Sequence, residues 1–269
     1  IRDSPYPEQP EKTYMQYTLT ETARLTELLK TIITFAPILS LVSTTENNMA
    51  TLYNTQRKLV RTSNGTLYCV YVKKLNGYYQ IYIKKSTDNG KTWTDETHIS
   101  THPNLENYHQ YYPSIAVDNL DHLHVVWCGF SSDSPSYYQV WYAKYDGNNW
   151  SIPIRLSQDF IAAAWPCIAV DSQNNIHVVW VGRNPEYPSY SQVWHTIFDG
   201  NKWHTPIRIS TYPGMENYHQ YYPSIAIDNL DHLHIVWHGR ASSYENYNQI
   251  WYNYYDGSWH TPIRISTCL

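Results

Sequence analysis

The stretch that decides the fold is an apolar hexapeptide that the chain carries three times. Its copies are Pro113-Ser114-Ile115-Ala116-Val117-Asp118, Pro166-Cys167-Ile168-Ala169-Val170-Asp171 and Pro223-Ser224-Ile225-Ala226-Ile227-Asp228. Each copy is followed by a second apolar run that ends in Trp127, Trp180 or Trp237. From Trp127 to Trp180 the spacing is 53 residues, and from Trp180 to Trp237 it is 57. A repeat of this length indicates an architecture built from stacked, similar units.

Each unit contains four short runs rich in Val, Ile, Tyr and Trp, separated by turn residues. After the tryptophan run come Gln139-Val140-Trp141 and its two equivalents, an Asp-Gly turn, and a closing Pro-Ile-Arg segment. A more divergent first copy covers about residues 57–100. Four strands in about 55 residues are typical of a propeller blade, and no unit has the apolar period of a helix. We therefore predict an all-β protein, a β-propeller of about four four-stranded blades, at about 46–100, 101–157, 158–210 and 211–267.

The N-terminal residues 1–45 do not belong to these units and form a separate predicted segment. Residues 1–13 are predicted to be an extended arm, Thr20 to Phe35 a short helix, and Ala36 to Thr44 an extra strand similar to the closing strand of the last unit. A strand without blade neighbours needs a pairing partner. It closes the chain's own ring as an additional edge, or it completes a blade in a neighbouring subunit, which would make residues 1–45 a self-association segment.

Composition and charge exclude several classes of partner. The formal net charge is −4, and Lys and Arg form no cluster longer than pairs such as Lys84-Lys85, so nucleic acid is not an expected partner. The apolar run from Thr31 to Val42 contains Pro37 and is too short to span a bilayer. No membrane span is therefore predicted.

The cysteines and histidines do not have the spacing of a metal site. Cys69, Cys128 and Cys167 lie in apolar strand patterns, where free thiols are expected, and the fourth cysteine is Cys268. One histidine recurs in each of three units, at His124, His177 and His234, and such a repeat favours a hydrogen-bonded residue between blades over a ligand. We predict no metal site and no cofactor.

The turn of the first unit has a defined motif, Ser86-Thr87-Asp88-Asn89-Gly90-Lys91-Thr92-Trp93. It resembles the Asp-box of sialidase-like β-propellers, with Ser86, Asp88, Gly90, Thr92 and Trp93 at the defining positions. The later units have shortened versions at Asp146, Asp199 and Asp256. The resemblance covers most of the chain after residue 46. It implies a structural turn away from the active face, and an extracellular or cell-surface protein.

Catalysis of the sialidase type is not predicted. The resemblance would require three arginines that grip a carboxylate, a Tyr–Glu nucleophile pair and an acid/base Asp. Arg57 is displaced from the expected position of the first arginine, and Arg155, Arg208 and Arg264 recur once per unit, as structural residues do. No Glu stands out as the partner of a nucleophilic Tyr, so no catalytic residue is assigned.

Aromatic and polar loops on one face are the expected binding surface. The loops that lead into the innermost strands of two units have the same seven residues, Glu106 to Tyr112 and Glu216 to Tyr222. The loops between second and third strands are dominated by Tyr, Ser, Asn and Pro, a composition suited to sugars and to protein surfaces. The candidate ligand-binding residues are Tyr108, His109, Tyr138, Arg183, Tyr187, Tyr190, Tyr218, His219, Arg240, Tyr244 and Tyr247.

The sequence thus favours a non-catalytic extracellular propeller that recognises a glycan or a protein. One alternative is a structural subunit of a surface or filamentous assembly joined through its N-terminal arm. The other is a sialidase-like glycosidase with rearranged catalytic residues.

Overall fold

The computed structural model describes residue 51, residues 56–94 and residues 96–266. The arm, helix and extra strand predicted within residues 1–45 lie outside the described residues, as does Cys268. Nearly all regular structure in the described part is β-strand. The exceptions are two single 3₁₀ turns in loops of the last unit, Met215–Asn217 and Ser242–Tyr244.

The described strands form four antiparallel four-stranded sheets, each made of four strands consecutive in the chain. The prediction of four four-stranded blades is confirmed. The first blade contains β1 (Leu59–Arg61), β2 (Leu67–Leu75), β3 (Tyr78–Ser86) and β4 (Thr97–His98). The second contains β5 (Gln110–Val117), β6 (Leu123–Ser131), β7 (Ser134–Tyr145) and β8 (Ile154–Arg155). The third contains β9 (Ala162–Val170), β10 (Ile176–Arg183), β11 (Gln192–Phe198) and β12 (Ile207–Arg208). The fourth contains β13 (Gln220–Ile227), β14 (Leu233–Gly239), β15 (Gln249–Tyr255) and β16 (Ile263–Arg264).

The aspartates of the repeats close the turns, because a short carboxylate can accept hydrogen bonds from backbone amides just ahead of it. Oδ1 of Asp118 accepts hydrogen bonds from the amides of Leu120 and His122, at 2.9 and 2.8 Å. These bonds stabilise the turn between β5 and β6. Oδ1 of Asp88 accepts from the Thr92 amide at 2.9 Å in the turn between β3 and β4. Asp146 and Asp199 accept backbone amides in the corresponding turns of the second and third blades, and Asp256 lies 2.9 Å from the His260 imidazole in that of the fourth. An aspartate thus occupies the turn between third and fourth strands in all four blades, as predicted.

Each blade packs face to face against the next, and the apolar core lies between the blades. The paired tryptophans of one sheet, Trp127 and Trp141, pack against apolar residues of the first blade, and Trp180 and Trp194 pack against the second blade. Trp237 and Trp251 repeat this contact between the third and fourth blades. Burial of a large apolar side chain contributes on the order of 1.5–3 kcal/mol, so these contacts hold the blades in order.

The recurring histidines are hydrogen bonded within a blade rather than between blades. Nε2 of His124 lies 3.2 Å from Asp118 Oδ2, and its Nδ1 lies 2.8 Å from the Tyr142 hydroxyl. The fourth blade repeats the arrangement around His234, and the third has His195 in place of the tyrosine. The hydrogen-bonding role was predicted correctly, but its partners come from the same sheet because β5, β6 and β7 pair directly. Cys69 and Cys128 are free thiols, as expected, and Cys167 Sγ accepts a hydrogen bond from the Ser114 hydroxyl at 3.9 Å.

Candidate functional site

Antiparallel topology brings two sets of loops to one end of the blades, which we call the loop face. It comprises the loops that lead into the innermost strands, near residues 100–109, 157–161 and 210–219, and the connections between second and third strands, near 76–77, 132–133, 184–191 and 240–248. The Asp turns lie at the opposite end. Nine of the eleven candidate ligand-binding residues lie in these loop segments, Arg183 ends β10, and Tyr138 lies in the first half of β7.

A glutamine and a tryptophan fix the loop that leads into the fourth blade. Gln220 is fully buried, and its Nε2 donates to the carbonyl oxygens of Tyr218 and Arg240, at 3.1 and 2.9 Å. Its Oε1 accepts from the indole Nε1 of Trp237 at 3.0 Å. A Cβ at Gly239 would overlap Gln220 Oε1, so this position requires glycine. One side chain therefore holds the backbone of two neighbouring loops, at Tyr218 and at Arg240.

A histidine ties each of the two repeated loops to the preceding blade. Nδ1 of His219 accepts from the Ser191 amide at 3.0 Å, and Nδ1 of His109 accepts from the Tyr79 amide at 3.1 Å. Burial is the main cause that lowers the pKa of His219, and the nearby Arg183 cation lowers it further. Burial and the Lys74 cation lower the pKa of His109 in the same way. Both imidazoles are therefore neutral near pH 7 and act as acceptors.

A cleft of about 270 Å³ opens on the loop face between the third and fourth blades. The Tyr190 ring meets His219 edge to face at 5.2 Å, and Arg240 Nε donates to Asn248 Oδ1 at 3.2 Å. Its lining residues are Tyr190, Tyr218, His219, Tyr221, Arg240 and Asn248. Four of these, Tyr190, Tyr218, His219 and Arg240, are among the predicted ligand-binding residues.

A second cation and a carboxylate stand beside this cleft. The Arg183 guanidinium lies 5.6 Å from the ring centre of Tyr137, an exposed residue in the first half of β7, and it is close enough to lower the pKa of His219. The Tyr218 hydroxyl donates to Glu245 Oε2 at 3.0 Å, and this hydrogen bond is the main reason that the pKa of Tyr218 is raised. The Tyr218–Glu245 pair was missed in the sequence, because the two residues lie in loops of different length, 27 positions apart.

The equivalent position between the first and second blades has a more aromatic surface. His109 lies between Tyr78 and Tyr79, with ring centres at 5.5 and 5.3 Å. Tyr138 stacks on Phe130 at 4.4 Å, where the fourth blade has Asn248 near Arg240. Tyr108 supplies carbonyl contacts to Gln80 and Gln110. This cluster therefore has aromatic rings in place of the arginine and amide of the cleft.

Seven of the eleven predicted ligand-binding residues do not line the cleft, and three of these seven are Tyr187, Tyr244 and Tyr247. Tyr187 packs on the Arg208 guanidinium at 4.3 Å, and Tyr244 packs on that of Arg264 at 4.2 Å. Both rings also contact a tryptophan of their own blade, Trp194 or Trp251. Tyr247 is 65% exposed and does not line the cleft, although it precedes the lining residue Asn248. The arginines repeated once per blade thus brace loops, as expected of structural residues.

The described residues also form grooves of about 330–390 Å³ between outer strands of neighbouring blades. One of them extends to the loop residues Gln158, Asp159 and Phe160, and the other two are lined by strand and turn residues. Among residues 51, 56–94 and 96–266, no group of three or more His, Cys, Asp or Glu side chains is placed to hold a metal ion. In the same part of the chain, no helix is long and apolar enough to cross a membrane.

Comparison with solved structures identifies the architecture. A Hadza microbial sialidase aligns with a TM-score of 0.52 and 15% sequence identity, over 79% of this chain and 48% of that one. The fold is that of a β-propeller. An ulvan lyase bound to a GlcA–Rha3S saccharide aligns at 0.56 and 12% identity, over 78% and 55% of the chains. An α-L-arabinofuranosidase from Fusarium graminearum aligns at 0.57 and 13%, over 77% and 65%.

These likenesses concern the fold, since all three identities lie far below those at which function is shared. The chain spans about half to two thirds of the length of these propeller proteins. In comparisons with protein-family patterns and with curated proteins, nothing matches the chain.

Proposed function

We propose that this propeller recognises a carbohydrate on its loop face without cleaving it, and that the cleft between the third and fourth blades is the binding site. The observation that carries the proposal is the lining of that cleft, which combines three tyrosines, Tyr190, Tyr218 and Tyr221, with Arg240 and Asn248. Flat aromatic faces cover the apolar face of a sugar ring, and arginine and amide groups pair with its oxygens.

Arginine makes an acidic saccharide the better fit. Arg240 lines the cleft, and Arg183 lies near His219. The nearby carboxylate of Glu245 accepts a hydrogen bond from the Tyr218 hydroxyl. A guanidinium binds a carboxylate or a sulfate through two parallel hydrogen bonds. The solved structures with this fold support a carbohydrate ligand, because they include a sialidase, an ulvan lyase bound to a saccharide and an arabinanase bound to arabinobiose. Together with the Asp-box resemblance, they also support an extracellular or cell-surface location as part of the proposal.

The test is titration calorimetry with acidic and neutral oligosaccharides on the intact chain. Arg240→Ala should weaken binding of the acidic sugar at least tenfold, about the worth of one charge-assisted hydrogen bond. Arg61→Ala is the matched control, because Arg61 is an exposed arginine on the opposite end, beside Asn89. Equal affinity in the two variants, or no binding by the wild-type protein, would contradict the proposal.

A hydrolase of the sialidase type is the second candidate, and the hydrogen bond between Tyr218 and Glu245 favours it. A carboxylate that accepts a phenol proton is the arrangement that activates a tyrosine nucleophile. The raised pKa of Tyr218 argues against a reactive phenolate in the free protein. The test is release of the aryl group from aryl glycosides: turnover that disappears in Tyr218→Phe would establish the hydrolase and overturn the non-catalytic proposal.

A further inference from the structure

The last blade exposes an apolar face that is buried in the other blades, which we call the trailing face: Ala226, Val236, Ile250 and Ile265. Val236 is 37% exposed, although its counterparts Val126 and Val179 are fully buried. Ile250 is 42% exposed, against full burial of Val140 and Val193. Ile265 is 52% exposed and its counterpart Ile209 only 1%. In the second and third blades, these positions pack against the blade that follows.

The first blade exposes the opposite face, which we call the leading face: Leu59, Leu67 and Cys69. Leu59 is 48% exposed, whereas Ile115, Ile168 and Ile225 at the same position are almost completely buried. Leu67 and Cys69 are half-buried, although their counterparts Leu123 and Val125 have no exposed surface. In the second, third and fourth blades, these positions pack against the blade that precedes.

The two exposed faces are complementary, because a trailing face packs on a leading face at each of the three junctions between neighbouring blades. Trailing faces meet leading faces between blades one and two, two and three, and three and four. Both end faces are solvent-exposed within the same described structure, so the first and fourth blades of one chain do not cover each other there. A contiguous apolar face of this kind typically marks an interaction site.

We propose that a second copy of this chain docks its leading face on the trailing face of the first, so that the copies associate head to tail through their propeller blades. The chain itself carries the complementary surface, which is why a second copy is the occupant. In the internal contacts, a tryptophan of the following blade caps the trailing face. Trp203 meets Tyr142 at 5.0 Å, and Trp259 meets His195 at 5.1 Å. At the trailing face of the fourth blade, the corresponding ring is Tyr252.

The first blade offers the matching tryptophan. Thr94 donates its amide to the Lys85 carbonyl just as Ser151 donates to Lys144, so Trp93 is the counterpart of Trp150 and of Trp203 and Trp259. In the docked pair, Trp93 of one copy would cover Tyr252 of the other. Leu59 would at the same time cover Val236 and Ile250.

The contact between two copies lacks one hydrogen-bonded link that joins neighbouring blades within the chain. The association between copies should therefore be weaker than the packing of the blades, and reversible. At the second and fourth blades, Asp121 and Asp231 accept from the amide and hydroxyl of Ser63 and Ser172 in the preceding turn. The first blade has Gly65 at the position of Asp121, and glycine has no side chain to accept from the Asn229 amide. A heterologous contact of this type closes into a ring or extends as a filament.

The test is sedimentation velocity of the full chain over a roughly hundredfold range of concentration, because only a reversible assembly changes with mass action. The wild-type protein should associate as concentration rises. Val236→Asp and Leu59→Asp should each weaken association more than about tenfold, since each would bury an unpaired carboxylate. The control is Ile207→Asp: Ile207 is 46% exposed, and its counterparts Ile154 and Ile263 are exposed too, so it lies in neither face.

Mixing the two variants separates a head-to-tail contact from a symmetric one. Val236→Asp retains an intact leading face and Leu59→Asp an intact trailing face. An equimolar mixture should therefore form a 1:1 dimer that does not grow further, although each variant alone stays monomeric. Near-UV circular dichroism of the buried tryptophans shows that each variant is folded, and Ile250→Asp replaces Val236→Asp if that variant is not.

Three results would overturn the proposal. The first is a wild-type chain that is monomeric over the whole concentration range. The second is a pair of variants that do not complement each other when mixed, because a head-to-tail contact needs only one intact face from each copy. The third is association unchanged in both variants, which places the contact on another surface, such as residues 1–45.

Discussion

The indole Nε1 of Trp237 donates a 3.0 Å hydrogen bond to the side-chain oxygen of Gln220, in a site where both residues are buried. The same glutamine holds the backbone at Tyr218 and Arg240 through its amide nitrogen. The core of the fourth blade and the wall of the cleft are thus joined by one side chain. Gln110 and Trp127 repeat the arrangement in the second blade.

Replacement of Gln220 by Leu should destabilise the protein by about 2–4 kcal/mol, because a buried indole donor and two carbonyls lose their partner. Urea denaturation followed by tryptophan fluorescence measures this change. The variant should also bind the cleft ligand more weakly. Gln110→Leu is the control, since it should lose similar stability and retain the cleft affinity. Equal loss of affinity in both variants would refute the local role of Gln220.

Replacement of Gly239 by Ala should cost more than replacement of Gly200 by Ala. A Cβ at Gly239 would overlap Gln220 Oε1 and lie 3.0 Å from the His219 carbonyl oxygen. At Gly200 the new atom meets nothing within 4 Å, and only the positive φ of 86° opposes it. We expect a loss of about 1 kcal/mol at Gly200 and at least about 2 kcal/mol at Gly239. Thermal melts of the two variants check the order.

Acidification should destabilise the fold because buried histidines are neutral in the folded state. Burial lowers the pKa of His195 to about 3 and that of His124 to about 4. Between these values and the ordinary histidine pKa of about 6.5, the unfolded chain binds more protons, so stability decreases as pH decreases. Each such histidine contributes a slope of about 1.4 kcal/mol per pH unit.

His195→Tyr should reduce this slope, measured as the free energy of unfolding between pH 6.5 and pH 4. The substitution is conservative within the repeat, since Tyr142 and Tyr252 hold the same position and lie 2.8 Å from their histidines. The tyrosine does not titrate in that range. A slope equal to that of the wild-type protein would show that His195 is not the source of the acid sensitivity.

Removal of the Arg183 guanidinium should raise the pKa of His219, because this cation is one of the two causes that lower it. In Arg183→Gln the burial effect remains, so only part of the shift should be reversed. The measurement is an NMR titration of the imidazole protons. His109 serves as the internal control, because its neighbouring cation is Lys74, and its pKa should not move.

Much of the candidate site could be predicted, but its shape could not. Tyr190, Tyr218, His219 and Arg240 were predicted from loop composition, and all four line one cleft. Tyr187 and Tyr244 have the same loop composition, yet they pack on arginines of their own blades. Tyr221 and Asn248 complete the lining and were missed, because whether their side chains face the cleft depends on how two blades meet.

The sequence by itself determined the blades, because strand periodicity, turn aspartates and paired tryptophans act within one unit of the repeat and leave a local signal. It also determined that His124 and its equivalents are hydrogen bonded. Only the tertiary structure decided that their partners lie in the same sheet, that Tyr218 pairs with Glu245, and that the trailing face of the fourth blade is exposed. The reason is physical. A residue's place on a strand follows from its neighbours in sequence, but its burial depends on what packs against the sheet.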